Sequence, residues 1–371
     1  MSAATFPCTS CGAELEFKPG TTSLTCQYCS ALNEIPAAAE AVEELDYQAV
    51  LAGLDKSSEH IERINSHCTS CGANVEMAAN TTSQSCPFCG SNMVATGVSE
   101  KVIKPRSVLP FKVEQKKARE LFRAWLASRW FAPGKLKKLA TVEGDSTYKG
   151  SGGIAGLYLP HWTYDCQAVT PYTGQRGDYY YVTVPTTVMV NGKSQTRMVQ
   201  QRRTRWSWVS GAVQNSFDDV LVIATTSLPA EQLHALGAWD LKELVPYRDE
   251  FLSGFRAETY TIDLPRGFVA AQGMMDPVIQ AAIRADIGGD EQRVATHSTG
   301  YNRITFKHIL LPIWISAYRF NGKVFRFLVN ARTGAVTGER PYSAWKITGL
   351  VIAGLILMGV IGVIIAIFAN K

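Results

Sequence analysis

Residues 8–29 read CTSCGAELEFKPGTTSLTCQYC, and residues 68–89 read CTSCGANVEMAANTTSQSCPFC. Each stretch holds two C-x-x-C pairs with 14 residues between them, and the second stretch repeats the first at a shift of 60 residues. A match of this length at a fixed shift indicates an internal duplication. The paired cysteines are Cys8, Cys11, Cys26, Cys29, Cys68, Cys71, Cys86 and Cys89.

This spacing is typical of a zinc ribbon. A C-x-x-C knuckle directs two sulfurs at one metal ion, and two knuckles joined by a β-hairpin close a tetrahedral four-thiolate site. We therefore predict two structural zinc ions, with no coordination position open for catalysis. Disulfides and a redox C-x-x-C motif are the rival interpretations. A reducing cytoplasm disfavours disulfides, and a redox motif does not require four pairs in duplicate.

The residue after each second cysteine of a pair must allow a tight turn. Gly12, Gly72 and Gly90 occupy this position in three knuckles, and glycine adopts the turn without steric cost. Ser30 occupies it in the fourth knuckle, so we expect the first site to be slightly weaker. Each ribbon is too small for a core of its own, and the metal should supply its folding energy. Loss of a ligand is then expected to unfold that ribbon alone.

Charge is distributed unevenly along the chain. The 371 residues carry a formal net charge of +5, and 46% of them are apolar, enough for two or three domains. Residues 1–100 contain 12 acidic and three basic residues, a balance of −9. Residues 101–371 contain 34 basic and 20 acidic residues, a balance of +14. An attraction between the two parts and two ordinary solvated surfaces are both compatible with this asymmetry.

The last part of the sequence is strongly apolar. The segment 347–369 contains no charged residue and, as a helix, would be roughly 34 Å long. It predicts a transmembrane helix over residues 346–369. The basic residues before it place the main body in the cytoplasm, and we see no secretory signal at the N-terminus. These features predict a single-pass, tail-anchored membrane protein, with the lipid bilayer as a partner. Small residues such as Gly349 and Ala353 allow a homodimer of such helices.

The predicted fold is multidomain: two small β zinc ribbons, an α+β domain with mainly antiparallel sheet, and one C-terminal transmembrane helix. We place zinc ribbon 1 at residues 1–36, a helical linker at 37–66, zinc ribbon 2 at 67–100 and the α+β domain at 101–345. Asn191-Gly192 and Asn321-Gly322 are strong hairpin signals. The phrases LPHW and LPIW at residues 159–162 and 311–314 suggest two related β-subdomains, one for each hairpin.

Several basic segments of the α+β domain permit more than one interpretation. A basic amphipathic helix within residues 114–131 could touch acidic lipid or nucleic acid, or could simply present a solvated face. Arg202, Arg203 and Arg205 lie beside Trp206 and Trp208. This combination is typical of nucleic-acid binding, and equally of an exposed hairpin on which Arg203 and Arg205 share one face.

The chain also resembles a known family. The phrases TFKHILLPIW at 305–314, GERPYSAWKI at 338–347, RGDYYY at 176–181 and DIGGDEQR at 286–293 are similar to a family of bacterial tail-anchored zinc-ribbon membrane proteins. Its members often carry the label "primosomal protein N′ (replication factor Y), superfamily II helicase". The resemblance implies the architecture given above and a location in the bacterial inner (cytoplasmic) membrane. More loosely, the chain is similar to zinc-ribbon proteins that work with membrane-stress or SPFH-type scaffold proteins.

These features predict an interaction protein and not an enzyme. The sequence has no Walker A motif, no H-E-x-x-H and no G-x-S-x-G, so helicase activity is not carried over. The lone Cys166 is expected to be a buried strand residue. The leading hypothesis is a membrane-anchored adaptor or scaffold for a protein partner. The alternative is a nucleic-acid-binding zinc-ribbon protein. The acidic balance of residues 1–100 disfavours that alternative, because phosphate contacts need Lys and Arg.

Overall fold

A computed structural model gives the architecture of the chain. It describes residues 6–36, 42–53, 60–68, 73–77, 83–86, 88, 92–94, 98–129, 154–190, 193–320, 323–339 and 344–369. The helices are α1 Tyr47–Leu51, α2 Gln115–Ala127, α3 Ala230–His234, α4 Leu264–Ile287 and α5 Ala344–Ala369, with short 3-10 turns at Leu241–Glu243 and Asp249–Leu252. The strands are β1 Leu15–Phe17, β2 Ser23–Cys26, β3 Leu32–Glu34, β4 Leu45–Asp46, β5 His60–His67, β6 Asn74–Met77, β7 Ser83–Ser85, β8 Asn92–Val94, β9 Val98–Ile103, β10 Ser107–Val108, β11 Ala155–Val190, β12 Lys193–Ile223, β13 Val245–Pro246, β14 Arg256–Ala257, β15 Glu291–His297, β16 Gly300–Phe320, β17 Lys323–Asn330 and β18 Val336–Gly338.

One large sheet dominates the α+β domain. Its path runs β12-β11-β16-β10-β13, and β11 pairs antiparallel with both β12 and β16. The predominance of antiparallel pairing agrees with the sequence-based expectation. The proposed pair of β-subdomains does not match what is seen, because both hairpins belong to this sheet. The two Leu-Pro-x-Trp phrases lie on neighbouring strands, with Leu159 opposite Leu311.

The described part of the predicted helical linker, 37–66, is not a continuous helix. It contains β4, the short helix α1 and most of β5. The Asp46 side chain caps α1 by accepting a hydrogen bond from the backbone N–H of Ala49 at 2.7 Å. Farther along, β5 pairs with β6 and β9. These tertiary ladders override the helical propensity of the segment, which is a weak preference by comparison.

The C-terminal helix requires a correction. Within the part of the chain that the structure describes, no helix is long and apolar enough to cross a membrane. The finding contradicts the predicted transmembrane helix over 346–369, and with it the tail-anchored topology and the inner-membrane location.

Both cysteine-rich segments pack against the large sheet, a point that the sequence left open. Ser253 connects the first ribbon to the domain: its backbone C=O accepts from Phe17 N at 3.1 Å, and its hydroxyl donates to Leu15 O. Arg326 connects the second segment by donating from Nε to the backbone carbonyl of Phe88 at 2.9 Å. The ribbons therefore share cores with the α+β domain. The first shared cluster includes Leu15, Phe17, Leu24, Phe111, Tyr158 and Phe251; the second includes Cys68, Cys86, Phe88, Leu157, Ile313 and Leu328.

The acidic N-terminal part also contacts the basic remainder of the chain. The ammonium of Lys307, a largely buried side chain, lies 3.0 Å from a carboxylate oxygen of Glu44 and 2.7 Å from one of Asp219. Next to Glu44, β4 pairs with β16 through Leu45 and Phe306. The ion pair between Glu44 and Lys307 therefore joins the acidic part of the chain to the basic part.

Candidate metal centre

The first four cysteines are held by a three-stranded sheet of order β1-β2-β3. In β1, Leu15 and Phe17 are buried while Glu16 between them is exposed. This alternation follows from the two-residue period of a strand, and it turns one face of the ribbon toward the α+β domain. The ring of Phe17 meets the ring of Phe251 edge-on, with centroids 5.4 Å apart. The metal-binding end of the ribbon is therefore positioned by the core.

Two knuckles of nearly identical geometry present the sulfurs. In the first, Cys8 N donates to Ala13 O at 2.7 Å, and Gly12 N donates to Cys8 O at 2.9 Å. In the second, Cys26 N donates to Ala31 O and Ser30 N donates to Cys26 O, both at 3.0 Å. These paired bonds fold each C-x-x-C into a turn in which both thiols point to one side.

The four thiols converge on one point. The sulfur of Cys8 lies 3.6 Å from that of Cys29, and the sulfur of Cys11 lies 3.5 Å from that of Cys26. All four sulfurs lie within 4.8 Å of one another. One metal ion could therefore contact all four cysteines. Cys8 and Cys26 are buried, whereas Cys11 and Cys29 face solvent, so the site lies at the surface of the ribbon.

The electrostatics of the cluster also favour a cation. The backbone N–H of Ser10 donates to the Cys8 sulfur at 3.4 Å and is the main cause that lowers the pKa of this thiol to about 6. The backbone N–H of Ala31 acts to lower the pKa of Cys29, but hydrogen bonds to the other three thiols raise it to about 12. Without a cation the cluster thus retains protons, because four adjacent thiolates repel one another. A bound divalent ion would remove this conflict.

A polar residue that the sequence reasoning missed supports the first knuckle. The carboxamide oxygen of Asn33 accepts from Thr9 N at 3.2 Å and from the Thr9 hydroxyl at 2.7 Å. Its amide nitrogen lies 4.0 Å from the Cys8 sulfur. Partners of this kind orient metal ligands and raise affinity. No sequence signal marked Asn33, because its contact with Thr9 depends on how β3 returns beside the knuckle.

The second set of four cysteines is described in part. Cys68 and Cys86 are both buried, and Cys68 N donates to Ala73 O at 2.8 Å. This bond repeats the Cys8–Ala13 bond of the first knuckle at the 60-residue shift. Cys71 and Cys89, the other two predicted ligands, lie outside the described residues. So do the turns 191–192 and 321–322, although the strands on either side of each turn are paired.

The ninth cysteine has the structural role expected of it. Cys166 is buried, and its thiol donates to the sulfur of Met275 at 3.6 Å. Burial raises the pKa of this thiol to about 11. A thiol of this kind is protonated near neutral pH and packs as a small apolar side chain.

The two knuckles differ at one position, and this difference allows a prediction. Ser30 has a φ of 59°, and Gly12 at the equivalent place has a φ of 74°. This left-handed conformation costs a non-glycine residue about 1–2 kcal/mol. We expect Ser30→Gly to raise the metal-loaded melting temperature by relieving about 1 kcal/mol of strain. Gly12→Ser should lower it by a similar amount.

The position of Gly12 isolates the backbone effect. A Cβ added to Gly12 meets no atom within 4 Å, so Gly12→Ser introduces strain without a clash. Thermal unfolding of the metal-loaded single variants and of the double variant would measure both effects. Equal melting temperatures for wild type and Ser30→Gly would contradict the assignment of strain to this knuckle.

The chain is distantly similar to a known protein. No family model matches the chain, and no solved structure matches it. The chain is 23% identical over 256 residues to the uncharacterized protein YdjG of Bacillus subtilis (strain 168). The aligned part covers 66% of this chain and 66% of that protein, so the chain spans about two thirds of the length of this relative. The name of the relative assigns no activity.

Proposed function

We propose that this protein is an adaptor whose zinc-stabilised ribbons bind another protein. The observation that carries the proposal is the convergence of four thiols at a ribbon that is itself docked on a large sheet. Zinc is the ion that suits this donor set. A tetrahedral site with Zn–S bonds of about 2.3 Å has sulfurs roughly 3.8 Å apart. The sulfur separations of 3.5 Å between Cys11 and Cys26 and 3.6 Å between Cys8 and Cys29 are close to that value.

A site with four protein ligands serves structure and not catalysis. Four thiolates fill the tetrahedral shell of zinc and leave no place for water or substrate. We propose that the second set of cysteines binds a second zinc ion in the same way, since the sequence repeat preserves every ligand. The two ions would then fix two small β-units on a common platform.

The outer end of the first ribbon presents apolar surface that such a platform would hold rigid. Tyr28, between the two cysteines of the second knuckle, is 84% exposed, and Leu32 at the start of β3 is 58% exposed. A tyrosine held by a metal-fixed turn loses little conformational freedom on binding. Residues of this type often contribute much of the energy of a protein interface. We place the partner contact at Tyr28 and Leu32.

The metal part of this proposal is tested by elemental analysis. Purified protein should contain two zinc ions per chain, and the Cys8→Ser variant should contain one. A different metal, or one ion per wild-type chain, would contradict the assignment.

The partner part is tested by a matched pair of surface variants. Full-length wild type, Tyr28→Ser/Leu32→Ser and a control, Val269→Ser/Val278→Ser, would be isolated with their bound proteins. The control removes two exposed apolar side chains from α4. A partner bound by wild type and control, but lost from the ribbon variant, would then be purified for affinity measurement. The resemblance described above makes an SPFH-type scaffold protein the first candidate to purify.

We expect Tyr28→Ser/Leu32→Ser to weaken binding of that partner at least tenfold, which is about 1.4 kcal/mol. Equal affinities for the ribbon variant and the control would show that the partner does not bind at Tyr28 and Leu32. Nucleic acid bound through the ribbon, in place of protein, would overturn the proposal.

A further inference from the structure

The long hairpin of β11 and β12 extends beyond the rest of the sheet. On the side of β11 away from β12, β15 pairs with residues Tyr172–Gly177, and its first residue, Glu291, lies opposite Gly177. Past that point β11 and β12 continue as a pair up to Val190 and Lys193. We call residues 179–190 and 193–205 the β-arm; in the described part of the chain no third strand pairs with it. At about 3.3 Å per residue, the β-arm is roughly 40 Å long.

The β-arm has an unusual charge. Residues 179–205 contain Lys193 and four arginines and no acidic residue, a balance of +5. The arginines Arg197, Arg202, Arg203 and Arg205 are all exposed. A solvated surface hairpin normally mixes charges of both signs. Acidic residues lie at the base of the β-arm, where Asp178 pairs with Arg205 and Asp290 and Glu291 contact Tyr179. A long segment of one sign that extends beyond them is the electrostatic footprint of a polyanion-binding surface.

The strand register assigns these residues to two faces. Residues that are paired across the strands, and residues two apart along one strand, share a face. Arg203 pairs with Tyr180 and Arg197 with Thr186, which places Arg197, Arg203 and Arg205 together on one face. The opposite face carries the large, highly exposed apolar side chains of Met189 and Met198, and Trp208 continues this face below the base of the β-arm. This face also carries Arg202, whose guanidinium stacks 4.2 Å from the centre of the Tyr179 ring.

The base of the β-arm is firmly attached to the domain. The hydroxyl of Tyr179 donates to the carboxylate of Glu291 at 2.8 Å, and its backbone N–H donates to Asp290 at 2.6 Å. Arg293 stacks 3.8 Å from the centre of the Trp206 ring. These contacts fix the direction in which the arm leaves the sheet, so a ligand along it would meet a preformed surface.

We propose that the β-arm binds duplex DNA, with its two-stranded ribbon in the major groove and its arginines on the phosphate backbone. The major groove of B-DNA is about 12 Å wide and admits a two-stranded β-ribbon. Arg203 and Arg205 are two residues apart in a strand, which spaces them by roughly 6.7 Å. Two successive nucleotides of one DNA strand advance about 6.8 Å along the helix axis. Arginine also recognises phosphate with a bidentate fork.

The arrangement of the two faces favours a groove over a flat anionic membrane. A lipid surface binds one face of a ribbon, and binding is strongest when basic and apolar side chains reach it together. Here both faces carry basic charge, because Arg197, Arg203 and Arg205 lie on one face and Arg202 lies on the other with Met189 and Met198. A flat membrane would reach only one of these two charged faces. A groove encloses the ribbon and contacts both. The contact is with phosphates, so we infer binding without strong sequence preference.

Salt-dependent binding measurements test this inference. Full-length protein would be titrated into a fluorescent DNA duplex of mixed sequence at several salt concentrations. The test variant is Arg197→Gln/Arg203→Gln/Arg205→Gln. The control, Lys116→Gln/Lys117→Gln/Arg119→Gln, removes the same charge from exposed positions on α2. Loss of three phosphate contacts should reduce the slope of log affinity against log salt by about 2.7. Affinity at physiological salt should fall at least tenfold.

Several outcomes would overturn the inference. The inference fails if wild type does not bind the duplex, or if the β-arm variant keeps the wild-type salt slope. It also fails if the control variant loses as much DNA affinity as the β-arm variant. Vesicles of phosphatidylserine and phosphatidylcholine form a second arm of the experiment. Arm-dependent binding to vesicles without binding to DNA would assign the surface to lipid instead. Circular dichroism melts would establish that both variants are folded. Tyr28→Ser/Leu32→Ser should bind DNA normally, which separates this inference from the proposed adaptor function.

Discussion

Cys8→Ser is expected to lose one metal ion per chain and to loosen part of the α+β domain as well as its own ribbon. Zinc contributes on the order of 10–16 kcal/mol to the folding of small zinc domains, so a ribbon without a ligand should not stay folded. Its unfolding would withdraw Leu15, Phe17 and Leu24 from the first core cluster. The Phe17 contacts to Phe251 and Phe255, at centroid distances of 5.4 and 6.2 Å, would be lost. This part of the α+β domain would then be exposed to water.

Hydrogen exchange combined with elemental analysis would measure this result. Amides of β1 and β2 should lose protection fully, and those of Asp249–Leu252 should lose it partially. The matched control is Cys166→Ser, which makes the same chemical change at a buried cysteine outside the site. The control should keep both metal ions and unchanged exchange in β1. Unchanged protection around Phe251 in Cys8→Ser would instead show that the ribbon folds as an independent module.

The sequence identified the chemistry of the first ribbon better than its placement. Cys8, Cys11, Cys26 and Cys29 were predictable because a metal site requires ligands at fixed spacing, and that spacing is local. The docking of the ribbon was not predictable from the alternation of Leu15, Glu16 and Phe17. The pattern indicates that one face is buried, but the same pattern fits a ribbon covered by its own hairpin and one covered by a separate sheet.

The length of the hairpin formed by β11 and β12 shows a second limit of prediction from sequence. β11 runs for 36 residues, although it contains Pro160, Gly174 and Gly177, which are residue types that usually interrupt strands. The structure shows why glycine is required at one of these positions. A Cβ on Gly174 would lie 2.6 Å from the backbone oxygen of Arg293, so this residue allows β15 to approach β11 closely. A glycine within a strand can mark such a close approach, but the sequence alone does not indicate which strand approaches.

The segment predicted as a helical linker, 37–66, shows a third limit of prediction from sequence. Ala- and Glu-rich sequence favours helix only by fractions of a kcal/mol per residue. The strand pairing of β5 with β9 is long-range, and nothing within residues 37–66 signals it. Composition likewise left open whether the acidic and basic parts of the chain attract each other. It could not predict that Glu44 and Lys307 would carry the contact at 3.0 Å.

Glu258→Gln is expected to stabilise the protein, and to do so more strongly as pH rises. The carboxyl of Glu258 is almost fully buried, at 3% exposure. One of its oxygens accepts hydrogen bonds from the hydroxyls of Thr225 and Ser227. A cavity of about 20 Å³ beside it, lined also by Tyr247 and His308, has room for about one water molecule. Burial raises the pKa of Glu258 from 4.5 to about 7.

The sign of the effect follows from that raised pKa. Between pH 4.5 and 7 the folded protein holds a proton that the unfolded chain has released, so the stability of the wild type falls as pH rises through this range. The glutamine side chain keeps the acceptor oxygen for Thr225 and Ser227 and carries no charge at any pH. The free energy of unfolding of Glu258→Gln should therefore exceed that of wild type by about 2 kcal/mol near pH 6 and about 3 kcal/mol near pH 8.

Denaturant unfolding of metal-loaded wild type and variant near pH 6 and pH 8 would measure these differences. The metal-bound thiolates have their own pH dependence, but they are common to both proteins and cancel in the comparison. Glu231→Gln, at an exposed position of α3, is the matched control and should change stability by less than about 0.5 kcal/mol at either pH. A pH-independent difference for Glu258→Gln would mean that Glu258 does not change its charge between pH 6 and 8. A loss of stability at both values would mean that the glutamine amide cannot be accommodated beside the cavity, and that the charged carboxylate is the form the fold requires.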